Sequence, residues 1–110
     1  MPYAGENWSN VSAGSEIALG IDLGPYIATG DALVGTTLTS ALTLEGGTAP
    51  ALPAAPYLVG TVANQVVKRP PAGFYILTFT CQTADGLIIE LWSKFTSNPT
   101  PGTVSRPYRV

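Results

Sequence analysis

The strongest pattern in the chain is a pair of alternating segments, AGFYILTFTCQT and LIIELWSKF, separated by the turn sequence ADG. Both segments are rich in β-branched and aromatic residues, and their apolar side chains recur at every second position, which is typical of strands. An Asp-Gly pair between two such segments is a strong hairpin signal. Residues 73–95 are therefore predicted to form a β-hairpin.

Two registers of this hairpin are possible, and they differ in how the side chains are divided between the two faces. A two-residue loop at Asp85-Gly86 places Cys81 opposite Glu90. A three-residue loop that also includes Ala84, with Gly86 in the left-handed region, instead collects the apolar side chains of both strands on one face. Such a pattern sets the register of a strand pair, so the longer turn is favoured. Its predicted pairs are Thr83 with Leu87, Cys81 with Ile89, Phe79 with Leu91 and Tyr75 with Phe95.

Three upstream segments also alternate. Residues 15–23 predict a half-buried strand, and residues 32–44 predict a strand whose threonines face solvent. Residues 57–67 alternate imperfectly and are predicted to form two short strands with a break near Asn64-Gln65. Residues 46–56 contain three prolines, which lack the amide hydrogen of a ladder, so this segment is predicted to be a loop.

The two ends of the chain lack this alternation. Residues 1–14 are short and polar apart from a few apolar side chains, and residues 96–110 contain three prolines, so each is predicted to be an extended arm. A helical period with caps appears nowhere over about ten residues. The chain is therefore predicted to be all-β, with an antiparallel β-sandwich of about six or seven strands over residues 15–95 and an arm at either end.

Composition and charge restrict the partners of such a fold. Only 11% of the residues are charged, against about 25% in an average domain, and the formal net charge is −2. This balance offers no basic surface for a nucleic-acid backbone, and there is no apolar run of about 20 residues for a membrane helix. The N-terminal residues also lack the features of a secretory signal, which predicts synthesis in a cytoplasm. A sparsely charged surface suits a subunit that packs against neighbours, although a monomer with a threonine-rich surface is the alternative.

The chemistry of common active sites has little support in the sequence. The chain has no histidine, which removes the commonest general base and metal ligand, and its one cysteine, Cys81, lies in the alternating apolar segment and is predicted to be a core residue. The seven carboxylates are interpreted as solvated surface, with Asp85 as a turn residue. No catalytic residue, metal site or cofactor is therefore predicted, and the protein is expected not to be an enzyme.

Aromatic and basic side chains outside the predicted core are the candidates for contact with a partner. Trp92 shares a face with Ile88, Glu90 and Lys94 in the favoured register, so it either packs beside Phe74 or Ile76 of its own hairpin or anchors an interface. The candidate partner-contact residues are Tyr3, Trp8, Trp92, Arg106, Tyr108 and Arg109.

The order of these segments resembles that of small immunoglobulin-like β-sandwich proteins encoded among the structural genes of tailed bacteriophages. The resemblance spans about residues 15–95 and departs from antibody-type domains, because Cys81 has no partner cysteine and Trp92 follows it. The matching residues are Gly30-Asp31-Ala32-Leu33, Gly73, Tyr75, Leu77, Cys81, Thr83, Gly86 and Glu90.

This resemblance implies an immunoglobulin-like fold and a non-enzymatic structural subunit of a virion, assembled in the host cytoplasm. The first expectation is a capsid decoration or cement protein that binds the major capsid protein, or other virion proteins, in many copies through its terminal arms. A neck, tail or fibre component is the alternative. A carbohydrate-binding module that presents Trp8, Tyr26, Tyr57 or Trp92 is a further alternative, although these aromatics are scattered along the sequence.

Overall fold

The computed structural model describes residue 8 and residues 10–99. Within them the chain is all-β, with no α-helix and with two short 3-10 turns, Gly24–Tyr26 and Gly35–Thr37. The strands are β1 (Val11–Ser12), β2 (Glu16–Asp22), β3 (Thr39–Leu44), β4 (Tyr57–Val59), β5 (Val62–Lys68), β6 (Gly73–Gln82) and β7 (Ile88–Asn98).

The strands form two sheets that pack as a sandwich. One sheet has four strands in the order β1-β7-β6-β3, and the other has three in the order β2-β5-β4. In an immunoglobulin-like sandwich the second, fifth and fourth strands form one sheet, and the third, sixth and seventh strands form the other. The predicted fold class is confirmed. The one difference from the constant-type arrangement is that β1 pairs in parallel with β7 rather than joining β2.

Tyr75, near the start of β6, provides a second immunoglobulin-like feature. Its hydroxyl donates a hydrogen bond to the carbonyl of Pro71, four residues upstream, as in the tyrosine corner of such domains. Desolvation of the hydroxyl raises the pKa of Tyr75 above its ordinary value. The ring also stacks on Phe95 of β7, with the ring centroids 5.0 Å apart. This corner therefore joins the loop before β6 to the core.

The core lies between the sheets and follows directly from the two-residue period of the strands. Alternate positions of β6 and β7 are buried along almost their whole length, and β2 and β5 supply the facing layer. Each large aliphatic or aromatic side chain removed from water contributes about 1.5–3 kcal/mol. The buried apolar residues are Leu19, Ile21, Leu23, Leu38, Ala63, Val67, Tyr75, Leu77, Phe79, Cys81, Ile89, Leu91 and Phe95.

The β6–β7 hairpin has the predicted three-residue register. The Thr83 amide donates to the Leu87 carbonyl across the turn at 2.8 Å, and Gly86 has a φ of 90°, in the left-handed region that glycine tolerates. The Leu87 amide donates to the Thr83 hydroxyl at 3.1 Å, which satisfies a group that the irregular turn leaves out of the ladder. The pairs Cys81 with Ile89, Phe79 with Leu91 and Tyr75 with Phe95 are as predicted.

Two predictions about the middle of the chain are wrong. Residues 32–44 do not form one strand, because the 3-10 turn Gly35–Thr37 interrupts them and only Thr39–Leu44 pair along β6. The Thr37 hydroxyl donates to the Val34 carbonyl at 2.7 Å and accepts from the Gln82 amide at 2.8 Å. At this point, hydrogen bonds of the Thr37 side chain therefore replace the backbone hydrogen bonds of a regular strand pair.

The break in residues 57–67 also lies elsewhere. The chain turns at Gly60, whose φ is 62°, and Asn64 and Gln65 continue inside β5. Gln65 is fully buried, and its amide donates to the Ala54 carbonyl at 2.8 Å while its carbonyl oxygen accepts from the Ser40 hydroxyl. Because its polar atoms have hydrogen-bond partners inside the fold, Gln65 can occupy a core position. In the sequence, this polar residue had suggested a break between two strands.

The proline-rich loop of residues 46–56 has no strand, as predicted, and connects the two sheets. The Gly47 amide donates to the Leu44 carbonyl, so the chain turns back at the end of β3. Ala49 and Leu52 pack against the core. The loop therefore helps to close the side of the sandwich between β3 and β4 without extending either sheet.

The strands extend past both predicted boundaries of the sandwich. β1 lies in the segment predicted as the N-terminal arm, and β7 continues three residues into the segment predicted as the C-terminal arm. Residues 1–7, 9 and 100–110 are outside the described residues, so the division into arms and body stays a prediction.

Candidate functional site

Trp8 lies where the two sheets approach each other. Its backbone amide donates to the Lys94 carbonyl of β7 at 3.2 Å, and its indole Nε1 donates to the Gly20 carbonyl of β2 at 3.0 Å. Its ring meets Phe95 edge to face, with the centroids 6.2 Å apart and the planes at 67°. Three contacts therefore hold this half-buried side chain against both sheets, and they account for much of its apolar and polar surface.

Trp92 is on the outer face of the four-stranded sheet, opposite Thr78 of β6. Its strand neighbours Leu91 and Ser93 are buried, whereas Trp92 is half-buried. The sequence correctly placed Trp92 away from the core face. Its position on a central pair of strands makes its backbone rigid, because β7 is hydrogen-bonded to β6 along ten residue pairs.

A groove crosses the outer face of the four-stranded sheet and brings these two tryptophans together. Its volume is about 560 Å³. Trp8 and Asn10 line it from the β1 side, and Thr43 and Glu45 line it from the β3 side. The outward side chains that line it from β6 and β7 are Phe74, Ile76, Trp92, Lys94 and Thr96. Small-molecule sites have this size and this mixture of aromatic and isolated polar groups.

The charged groups of the groove balance one another. Lys94 carries the positive charge and Glu45 the negative charge among its lining residues. The uncharged polar side chains that line it include those of Asn10, Thr43 and Thr96. The groove therefore presents both hydrogen-bond donors and acceptors without a surplus of either charge.

A second surface is the outer face of the three-stranded sheet. Among the described residues, charged side chains on this face occupy only its corners, at Glu16, Lys68 and Asp22, and Val59 on the edge strand is 62% exposed. Antiparallel sheets with one face in water usually carry polar residues there, so an uncharged centre is unusual. The outward residues between the corners are Ala18, Gly20, Tyr57, Val59, Val62, Asn64 and Val66. We call these seven residues the valine face.

Asp22 and Asp31 hold loops rather than forming a site. Asp22 accepts from the Thr61 hydroxyl at 2.7 Å and from the Gly24 amide at 2.8 Å, and these bonds lower the pKa of its carboxyl. Asp31 accepts from the amides of Ala32 and Asp85. Both carboxylates therefore stabilise turns at the ends of strands.

Cys81 lies in the core, as predicted. It is fully buried, and its Sγ is 3.5 Å from the Val34 carbonyl and 3.7 Å from the Thr37 hydroxyl. Among residue 8 and residues 10–99, no group of three or more Cys, Asp or Glu side chains is arranged to hold a metal ion. The described part of the chain also contains no helix with the length and apolar character needed to cross a membrane.

The predicted partner-contact residues have different outcomes. Trp8 and Trp92 line one groove, and Trp8 also fastens the two sheets. Tyr3, Arg106, Tyr108 and Arg109 lie outside the described residues, so their role in an interface stays a prediction. Sequence reasoning did not select Phe74, although its outward position followed from the hairpin register. It had no signal for Asn10 or Glu45, which only the packing of distant segments brings to the groove.

Comparison of the chain with known proteins gave no match to a protein-family model, and no curated protein sequence matched it either.

Proposed function

We propose that this protein is a non-enzymatic structural subunit of a phage-like virion, attached to a larger protein assembly as a capsid decoration or cement protein. The observation that carries this proposal is the valine face, which has an uncharged centre and exposes Val59 to 62%. An exposed uncharged patch of this kind is typical of a surface that docks on another protein. The bacteriophage assignment itself depends on the sequence resemblance.

The shape of the valine face suits a flat partner. Its central strand is β5, and Gly20 of the edge strand β2 leaves room for the Asn64 side chain, because a Cβ added to Gly20 would lie 2.8 Å from the Asn64 Oδ1 atom. The small residues Ala18 and Gly20 therefore keep the β2 edge of this face low. A protein surface laid across this edge can come close to the sheet and exclude water.

The proposed partner is the major capsid protein, and the terminal segments contribute to the attachment. Many copies of one small subunit bound to a repeating lattice need a repeated docking surface on each copy, and the valine face supplies one. Few charges across the whole chain lower the desolvation cost of such contacts.

The test is incorporation of variants into particles. Ala18→Lys and Val59→Lys place a charge on exposed positions of the valine face and are expected to reduce the copies of this protein per capsid protein by about tenfold or more. Quantitative mass spectrometry of particles purified from the producing culture measures this ratio.

The matched control is Thr39→Lys, which adds the same charge to an exposed position on the outer face of the opposite sheet. It is expected to leave the ratio unchanged, and thermal unfolding should confirm that all three variants fold. Absence of the wild-type protein from purified particles would overturn the proposal. A few copies per particle would instead favour a neck, tail or fibre component.

A further inference from the structure

We propose that the groove on the outer face of the four-stranded sheet binds a neutral oligosaccharide. The site consists of Phe74 and Trp92 as aromatic groups, with Asn10, Glu45 and Lys94 as polar groups and Trp8 at its border. This inference does not depend on attachment to a particle, because the groove and the valine face are on opposite outer faces of the sandwich.

The aromatic side chains are arranged along the strands. Phe74 of β6 is 62% exposed and lies opposite Thr96, whereas Trp92 of β7 lies opposite Thr78. Four residues separate Phe74 from Thr78 on one strand, which corresponds to about 13 Å. The two rings are therefore too far apart to contact one sugar ring together, and they are spaced for non-adjacent units of an extended ligand.

The wall of the groove is held in place before any ligand arrives. Trp8 is fixed by hydrogen bonds to Lys94 and Gly20 and by its edge-to-face contact with Phe95. Phe74 and Trp92 project from two long paired strands. A preorganised site loses less conformational entropy on binding, which favours recognition of a flexible chain.

The lining matches the chemistry of a sugar. A pyranose ring has an apolar face of C–H groups, which packs on an aromatic ring, and a rim of hydroxyls, which donate and accept hydrogen bonds. The groove offers matching apolar and polar groups. The Thr96 hydroxyl lies beside the Phe74 ring, and the Asn10 amide lines the β1 side. Buried aromatic surface provides attraction, and the polar groups provide orientation.

The charged and polar groups of the groove disfavour two other classes of ligand, anions and apolar protein segments. The charges of Lys94 and Glu45 cancel, so the described lining of the groove has no net charge to attract a phosphate or an acidic polysaccharide. A purely apolar protein segment would take the Asn10 and Glu45 side chains out of water without offering them hydrogen bonds, which is costly. A neutral polyhydroxylated chain satisfies both conditions.

The experiment uses the full chain and three neutral probes, maltopentaose, cellopentaose and chitopentaose, with an oligogalacturonate as the acidic comparison. The chain has two tryptophans, and both line the groove, so tryptophan fluorescence reports directly on its occupation. We expect at least one neutral probe to change this fluorescence with a saturable dependence, and calorimetry should give the same affinity.

Phe74→Ala is expected to weaken binding about tenfold and leaves both reporting tryptophans in place. Because Phe74 is largely exposed, the variant should fold, and thermal unfolding checks this. Tyr26→Ala is the matched control, since Tyr26 is also an exposed aromatic residue at 47% but is outside the groove.

Three results would overturn the inference. The first is that none of the neutral probes binds. The second is that Phe74→Ala binds as tightly as the wild type, which would place the ligand elsewhere. The third is that only the acidic probe or an apolar peptide binds. Failure of particle incorporation, by contrast, would leave this result unaffected and would count only against the proposed structural role.

Discussion

Single side chains make several of the connections between the two sheets, and Trp8 is the clearest case. It joins the Lys94 carbonyl of one sheet to the Gly20 carbonyl of the other while its ring covers Phe95. Gly20 belongs to an edge strand, where a carbonyl that points outward has no neighbouring strand to pair with. The indole therefore gives the edge carbonyl of Gly20 a hydrogen-bond partner and also covers one side of the core.

Removal of the Trp8 side chain is expected to destabilise the fold. Trp8→Ala should lower the free energy of unfolding by about 2 kcal/mol or more, because the contact with Phe95 and the bond to Gly20 are both lost. Trp8→Phe retains a ring and should cost about 1 kcal/mol. Urea unfolding followed by circular dichroism measures both, with Tyr26→Ala as an exposed aromatic control. A Trp8→Ala protein as stable as the wild type would contradict this role.

Asp31 connects two loops that are distant in sequence. Its carboxylate accepts from the amides of Ala32 at 2.8 Å and Asp85 at 3.1 Å. The Thr83 hydroxyl is the strongest influence that holds the pKa of Asp31 below its ordinary value, desolvation opposes it, and the backbone amides add to the lowering. The ionised form is therefore the one that the folded state favours.

Because the folded pKa is lowered, Asp31 contributes stability above its unfolded pKa and loses it as the pH falls through the folded pKa. Asp31→Asn is expected to lower the melting temperature at about pH 7 and to have a smaller effect as the pH falls below the unfolded pKa, where the wild type loses the contribution of its ionised carboxylate. Asp85→Asn, in the exposed turn, is the control. Equal losses for Asp31→Asn above and below the unfolded pKa would show that its charge has no role.

At the scale of elements, the β6–β7 hairpin depends on one residue of the turn. Gly86 has a φ of 90°, and a Cβ added there would meet no atom within 4 Å, so the constraint is the backbone conformation and not space. The favoured three-residue loop requires this conformation at its last position. Gly86 thereby determines that Leu91 faces the core and Trp92 faces the groove.

Gly86→Ala is expected to lower the free energy of unfolding by about 1 kcal/mol, because a side chain is strained in the left-handed region. Gly35→Ala is the matched control: its added Cβ would lie 3.6 Å from a Leu58 methyl group, an ordinary contact, in a turn without a left-handed φ. Denaturant unfolding of the two variants compares them. If Gly35→Ala proved the more damaging, conformational strain would not explain the preference for glycine at position 86.

At the scale of the whole molecule, the sandwich has two outer faces of different character. The valine face has an uncharged centre, and the opposite face has a groove with aromatic and polar lining. If the valine face docks on a particle, the groove points away from it. A small protein with this arrangement can be held on one side and remain open to a ligand on the other.

The fold was largely predictable, because a strand with one buried face has a two-residue period that is visible in the chain. β2, β6 and β7 were recognised in this way, and so was the pairing of Phe79 with Leu91. The interruptions of the strands at residues 35–37 and at residue 60 were not predicted. Thr37 replaces a ladder bond with its hydroxyl, and Gln65 occupies the core with its amide satisfied, and both effects depend on residues far away in the sequence.

The sequence by itself determined the all-β class, the hairpin register, the burial of Cys81 and the lack of histidine chemistry, because these depend on local alternation, turn residues and composition. Only the tertiary structure placed Trp8 and Asn10 at the same groove as Trp92 and Phe74, and Asp31 beside the β6–β7 turn. Packing of the N-terminal segment against β7 positions the first group, and packing of the loop after β2 against the hairpin positions the second. Such contacts between distant segments leave no periodic trace in the chain, and the proposed sugar groove is built from them.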